Sequence, residues 1–302
     1  MFLMLLTMRI NILGGTGLVG HGIYNVLEKD YQVKVFSSDC FDFELFCFRS
    51  DDIFDCDMFI HAAGVKDEEV AGNMDFGLKK STKFIDLIIV GLKSFSCSKL
   101  VYISTVHVFG DLSLEINPNR LPNPKSFYSF FHYCTEKVLE LRMNSLSRDF
   151  KLLLLRVPTI YGFQENMNKI NRPSIIQNSF LTSLLENGSI NLRSDGRQFR
   201  LFASNYKVGG IIKAWLMDNN KKCITTETVN GENWTVHNFA LLCLKRISIL
   251  VSDRDFHLNR LNQTALNDTL IPISVNTKYD FVEPYPLEKY IDDFLNFRLN
   301  LC

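Results

Sequence analysis

No charge of either sign predominates in this 302-residue chain: lysine plus arginine number 33, and so do aspartate plus glutamate. That balance excludes a general electrostatic pull toward nucleic acid or an anionic membrane. No basic stripe interleaved with aromatics stands in for it, so nucleic acid is not an expected partner. CxxC spacing is also missing. The eight cysteines (Cys40, Cys47, Cys56, Cys97, Cys134, Cys223, Cys243 and Cys302) are scattered, which argues against a zinc site or a disulfide framework. Reduced, mostly buried thiols, no metal and a cytoplasmic setting are expected instead. Apolar runs of membrane-spanning length are lacking. The opening Met1-Phe2-Leu3-Met4-Leu5-Leu6 has no basic residue before it and no cleavage site after it, and no membrane association is expected. Met8-Arg9-Ile10 reads as a more natural start, which makes residues 1–7 a dispensable extension. Internal repeats and low-complexity linkers are absent as well. What is present, 46% hydrophobic and 22% charged residues, suits a globular protein long enough to bury a large core.

The first half alternates short apolar runs with helical patterns. Strands are predicted at Ile10–Leu13, Gln32–Phe36, Met58–His61, Lys99–Ser104 and Leu152–Arg156, with helices near 18–29, 73–94 and 126–147. That rhythm implies parallel strands joined by crossover helices, hence an α/β, Rossmann-type doubly wound parallel sheet. After about residue 160 the rhythm loosens, with Pro173, Gly188 and Gly196 interrupting it, and helices return at 236–250 and 286–299. The expected division is a Rossmann domain over 8–162, with 207–218 returning to it, and a smaller C-terminal substrate-binding lobe from 163–206 and 219–302.

Directly after the first strand comes Gly14-Gly15-Thr16-Gly17-Leu18-Val19-Gly20. Gly14, Gly17 and Gly20 form GxxGxxG between a strand and a helix. Glycines there permit a tight turn and let backbone N–H groups approach a pyrophosphate, while the helix N-terminus that Leu18 opens offers partial positive charge. A glycine-rich turn without a ligand is the bland alternative, but the strand–helix context favours a dinucleotide. A carboxylate ending the next strand would bind the adenine ribose of NAD. Here Ser37 holds that position, Asp39 comes late, Asp42 is a loop carboxylate within reach of an adenine, and no arginine is adjacent. NAD and NADP both stay open.

Further segments follow in order. Phe59-Ile60-His61-Ala62-Ala63-Gly64, Tyr102-Ile103-Ser104-Thr105-Val106-His107-Val108-Phe109-Gly110, Leu155-Arg156-Val157-Pro158-Thr159-Ile160-Tyr161-Gly162 and Asp195-Gly196-Arg197-Gln198-Phe199-Arg200 together resemble the extended short-chain dehydrogenase/reductases. The likeness is to the NAD-dependent epimerases, dehydratases and reductases of nucleotide sugars. The resemblance implies that Ala62, Ala63 and Gly64 pass under the cofactor, that Thr105 is the catalytic hydroxyl, and that Thr159 and Arg200 contact the substrate, Arg200 through its diphosphate. A homodimer is implied as well, and polysaccharide biosynthesis as the setting. Family dehydratases carry Asp-Glu directly after the threonine. Val106 and His107 stand there, so the acid and base for 4,6-dehydration are missing. Thr159 departs from the usual asparagine. His107 reads equally as a strand-end imidazole bonded to backbone and as a substrate-facing group.

The family's signature is Tyr-x-x-x-Lys, two side chains on one helical face. The tyrosine exchanges a proton with the substrate oxygen, and the lysine assists it and binds the nicotinamide ribose. Tyr133-Cys134-Thr135-Glu136-Lys137 is the literal match. The family also places an acidic residue four positions after the lysine, however, and Lys137 plus four is Leu141. Tyr128-Ser129-Phe130-Phe131-His132 satisfies that rule with Glu136. It also lies 28 residues before Arg156, against 23 for Tyr133, with Pro122 and Pro124 just upstream. The two pairs point about 140° apart on a helix and cannot both serve. Tyr128 and His132 are therefore the expected pair, with histidine replacing lysine. Two readings follow: an NAD(P)-dependent nucleotide-sugar epimerase or keto-sugar reductase, and a dinucleotide-binding scaffold of the same fold whose chemistry is impaired.

Overall fold

Ile10, Ile12 and Leu13 are all buried, and so is every residue from Leu152 to Leu155. Such continuous burial is what strands covered on both faces require. The computed structural model describes residues 8–95, 97–112, 115–117, 120–146, 149–164, 175–219, 222–260, 272–281 and 283–299. The expected extension 1–7, Pro173 and Cys302 lie outside them. The strands are β1 Arg9–Leu13, β2 Gln32–Phe36, β3 Phe41–Asp42, β4 Cys47–Phe48, β5 Met58–His61, β6 Lys99–Thr105 and β7 Lys151–Val157. They continue as β8 Thr159–Tyr161, β9 Ser189–Leu192, β10 Phe199–Ser204, β11 Ile224–Thr228, β12 Glu232–Thr235 and β13 His257–Arg260. Six form one sheet in the order β2-β1-β5-β6-β7-β11, every pair parallel. The α/β, Rossmann-type reading holds.

The two-residue period of the strands sorts their side chains into two cores. Ile10, Ile12, Met58, Ile60, Val101, Ile103, Leu153 and Leu155 face helices Leu18–Leu27 and Asn205–Met217, meeting Ile23, Leu27, Ile211 and Trp215. Phe59, Leu100, Tyr102, Leu152 and Leu154 face the other way, onto Phe84, Ile85, Ile88, Leu92 and Leu139. Each such aliphatic or aromatic side chain contributes roughly 1.5–3 kcal/mol by leaving water. Helix Asn205–Met217 lies on the first helix, with Gly209 against Val26 and Ile23. The chain leaves β1 for β2 on one side and continues through β5 on the other. That reversal opens a crevice above the C-terminal ends of β1 and β5.

Three expectations change. Ile224–Thr228, placed with the lobe when 219–302 was assigned there, is β11 and pairs with β7 at the edge of the main sheet. The helix expected over 73–94 is two, Met74–Ser81 and Lys83–Ser94, broken at Thr82. The Thr82 hydroxyl donates to the Leu78 carbonyl, the local bond by which threonine competes with helix propagation. The stretch after 163 also holds regular structure. Gly188 is the left-handed C-cap of a helix over Ile176–Asn187, so this glycine ends an element instead of marking its absence. That helix, with Val236–Leu250 and Leu287–Leu299, encloses a third core including Leu181, Phe202, Phe239, Tyr290 and Phe294.

Candidate functional site

A cleft of about 580 Å³ occupies the crevice, within the range of small-molecule sites. Its floor is the glycine turn. Gly14 has a left-handed φ of +85°, and a Cβ there would stand 2.9 Å from Ala62 C and Ala63 N. A Cβ on Gly20 would come within 2.2 Å of Gly14 O. These two glycines let β1, β5 and the first helix close together. Gly17 differs. It is the N-cap of helix Leu18–Leu27, in extended conformation, and a Cβ there would touch Gly14 O alone, at 3.3 Å. Gly17 thus leaves room at an uncapped helix N-terminus, the cradle that a pyrophosphate fits. Leu18, Ala62, Ala63 and Gly64 line the same cleft. Ser37 does not. Its hydroxyl accepts from Asp39 N and donates to the Asp39 carboxylate, and its neighbour Ser38 lines the cleft instead. Asp42 is held by the amides of Glu44 and Leu45 and by Arg49.

Thr105, His107, Tyr128 and His132 form one wall. Thr105 ends β6 and caps the following turn: its Oγ1 accepts from His107 N at 3.2 Å, leaving the hydroxyl hydrogen for another acceptor. The helix Phe127–Arg142 starts at a reciprocal Ser126–Ser129 capping box, which fixes Tyr128 in its first turn. Tyr128, His132 and Glu136, spaced by four, make one stripe toward the sheet. The Tyr128 ring stands edge-on to His132 at 4.7 Å and to His107 at 6.3 Å between centroids. Tyr133 packs beside Val108 and Phe109, while Lys137 is half-exposed and paired with Glu140 at 2.6 Å. Neither lines the cleft.

Beneath this wall lies a buried polar layer of which the sequence displayed Glu136 but not its bonds. Glu136 is fully buried; it takes both Nε and Nη2 of Arg156, at 3.0 and 2.7 Å, and the Ser104 hydroxyl at 2.5 Å. Ser104 and Thr105 both line the cleft, but the Ser104 hydroxyl is committed to Glu136, whereas that of Thr105 keeps its hydrogen for another acceptor. Tyr102 Oη lies 2.7 Å from His132 Nδ1. His61 sits beside Tyr102, 5.3 Å between rings, and its Nδ1 meets no hydrogen-bond partner among the described residues. Burial, then the charge of Lys80 and the nearness of His132, depress His61 to about 3. The unfolded imidazole takes up a proton below its ordinary value near 6.5 and the native one does not, so stability falls as pH drops from 6.5 toward 3. The loss is about 2 kcal/mol at pH 5. A His61→Gln variant is expected to lose correspondingly less stability between pH 7 and pH 5. Denaturant unfolding at the two pH values checks this, and equal losses would refute it.

The opposite wall carries Thr159, just past the end of β7, and Arg200 on β10. Arg200 is half-buried, and burial pulls its pKa below the ordinary guanidinium value. Its guanidinium makes no ion pair or hydrogen bond to any described residue. A cation that cannot lose its proton, in a cleft where Asp67 is the one lining carboxylate among the described residues, suits an anion. Lys66, Ser126 and Ser38 also line the cleft and were missed. Lys66 stands two residues beyond Gly64, a position with no local pattern to mark it. Among the described residues no group of three or more metal-ligating side chains is assembled, and no helix is long and apolar enough to cross a membrane.

A parallel sheet with its cleft at the switch point, floored by a glycine turn at a helix N-terminus, defines a Rossmann-type protein of the extended kind. The chain belongs to the NAD-dependent epimerase/dehydratase family, whose model matches residues 10–204. Among solved structures it is similar to the UDP-N-acetylglucosamine 4-epimerase of Methanobrevibacter ruminantium M1, in complex with UDP-N-acetylmuramic acid. The TM-score is 0.75 at 15% identity, over 98% of this chain and all of that one. It is also similar to the UDP-glucuronic acid 4-epimerase of Bacillus cereus in complex with NAD, with a TM-score of 0.72 at 17% identity over 96% of each chain. RMD from Pseudomonas aeruginosa, complexed with NADPH, gives a TM-score of 0.72 at 15% identity, over 96% of this chain and 98% of that one. At such identities the likeness shows the fold. No curated protein matches the chain.

Proposed function

We propose that the protein is an NAD(P)-dependent nucleotide-sugar epimerase or keto-sugar reductase. The observation that carries this reading is Arg200, a cation without a partner among the described residues, lining the same cleft as Thr105, Tyr128 and the glycine turn. Solved structures of like fold hold nucleotide sugars, NAD or NADPH, which supports the same reading. Gly14, Gly17, Leu18 and Gly20, with Ala62, Ala63 and Gly64, would hold the dinucleotide. Ser38 takes the place near the adenine ribose expected of Ser37. A bound nicotinamide supplies or accepts the hydride. Thr105, whose oxygen already accepts the His107 amide, donates its hydrogen to the sugar oxygen. Tyr128 gives or takes the proton at that oxygen. His132 contacts the nicotinamide ribose, His107 and Thr159 contact the sugar, and Arg200 binds the diphosphate bidentately.

Mass spectrometry of co-purifying ligands, followed by turnover on a panel of nucleotide sugars with NAD and NADPH, tests the proposal. Inversion without net cofactor use marks an epimerase, and stoichiometric NADPH consumption a reductase. Cofactor binding without turnover on any sugar would favour the impaired scaffold. Arg200→Met is expected to weaken nucleotide-sugar affinity about tenfold, the size of a lost charge-assisted hydrogen bond. Its melting temperature should stay near that of the parent, because the guanidinium makes no bond to any described residue. Severe unfolding with unaltered affinity would mark Arg200 as structural. A homodimer, with the protein acting in the cytoplasm, completes the proposal. Val90 and Leu141 are exposed and flank the Arg142–Asp86 pair on two neighbouring helices. A monomer mass by light scattering would remove the dimer.

A further inference from the structure

His132 occupies the position where the signature calls for a lysine, and what fixes its state is visible one layer below. Tyr102 is 1% exposed on β6, and its Oη stands 2.7 Å from His132 Nδ1. Burial pushes the Tyr102 phenol well above its ordinary pKa, so it keeps its proton at any working pH. A phenol is a stronger acid than a neutral imidazole N–H, and the favoured bond therefore runs from Oη to Nδ1. The ring is confined on its other sides. Tyr128 meets it edge-on, and a Cβ on Gly64 would come within 2.7 Å of Cε1 and 3.4 Å of Nε2. Gly64 is thus both a wall of the cleft and the space into which the imidazole fits.

We propose that Tyr102 is a positioning residue of this site: its hydroxyl donates to Nδ1 of His132 and holds the imidazole as the neutral Nε2–H tautomer. The ring's N–H is thereby set on the side away from Tyr102, where Gly64 and the cleft lie. The titratable and charged groups packed around the pair agree with a neutral ring. From β5, His61 is held neutral by burial. From helix Met74–Ser81, Lys80 is buried and paired with Glu69 at 3.0 Å. On the helix of His132 itself, Tyr128 stands beside the ring, and Glu136 is neutralised by Arg156 at 2.7 Å. The role of the Nε2–H as a donor to a nicotinamide ribose hydroxyl rests on the proposed function. The tautomer does not.

The test therefore has one readout that needs no substrate. In nitrogen-15-labelled protein near neutral pH, the His132 ring is expected to show a pyridine-type Nδ1 and a pyrrole-type Nε2. Tyr102→Phe should lose that pattern, giving mixed tautomers or an imidazolium. The opposite tautomer, or an imidazolium, in the unaltered protein would overturn the inference even if turnover on a nucleotide sugar is found. The second readout is a double-mutant cycle on whichever substrate the panel identifies. Tyr102→Phe is expected to lower kcat roughly tenfold, the effect of one lost hydrogen bond, and to change the pH profile near neutrality. In a His132→Lys background, where no tautomer is left to fix, the same substitution should change little. Equal losses in both backgrounds would make Tyr102 a merely structural residue and overturn the proposal. If no sugar is turned over, the proposed function fails while the tautomer measurement still decides this inference.

Discussion

Tyr128→Phe is expected to lower turnover by a factor on the order of 10² or more, because it removes the group that exchanges a proton with the sugar oxygen while leaving the ring in place. Geometry makes the expectation selective. Tyr128 lines the cleft between His107 and His132, whereas Tyr133, five residues on, packs beside Val108 and Phe109. Tyr133→Phe is accordingly expected to cost far less, and Lys137→Met to leave turnover almost untouched, since Lys137 is paired with Glu140, lies over the Tyr133 ring and does not line the cleft. Steady-state rates of the three variants on one nucleotide sugar make the comparison. Should Tyr133 and Lys137 prove essential and Tyr128 dispensable, the literal Tyr-x-x-x-Lys match is the working pair and the assignment made here is wrong.

How much of this was legible in the sequence follows from how local each signal is. The strand ladder and the glycine turn were readable because apolar runs, a strand end and a helix start lie within a few residues of one another. Glu136 was readable through the resemblance, because the family places an acidic residue four positions after its lysine, and that pattern singled out Tyr128 and His132 over the literal motif. β11 was not. Ile224–Thr228 is a threonine-rich edge strand, half-buried over most of its length, and nothing local says which sheet its one neighbour belongs to. Tyr102 was read only as part of a strand. Its bond to His132 spans 30 residues and exists because β6 and the helix pack face to face. Ser37 fails for a related reason. Its chemistry suits a ribose, but the chain turns directly after it and directs the hydroxyl to the Asp39 amide. Position along the strand was legible, and side-chain commitment was not.

Gly17→Leu is expected to abolish binding of both NAD and NADP while the protein stays folded. The three glycines of the turn separate on this point. Gly14 needs its left-handed backbone, and a Cβ there meets main chain of β5 at 2.9 Å. A Cβ on Gly20 overlaps the Gly14 carbonyl at 2.2 Å. Substitution at either strains the turn itself, so lost binding there would follow from lost structure. Gly17 has the extended backbone that any residue adopts at an N-cap. Its Cβ has one close neighbour, at 3.3 Å, and a few tenths of an ångström of adjustment accommodates it. The rest of a leucine side chain then stands in front of the first N–H groups of helix Leu18–Leu27, where a pyrophosphate must come to accept them. Calorimetric titration with each dinucleotide, beside the melting temperature of the unliganded variant, separates the two effects. A near-parental melting temperature with no binding is the expected pair of results. Unchanged affinity for both dinucleotides would show that the phosphates do not sit at this helix, and the cleft would need a different ligand.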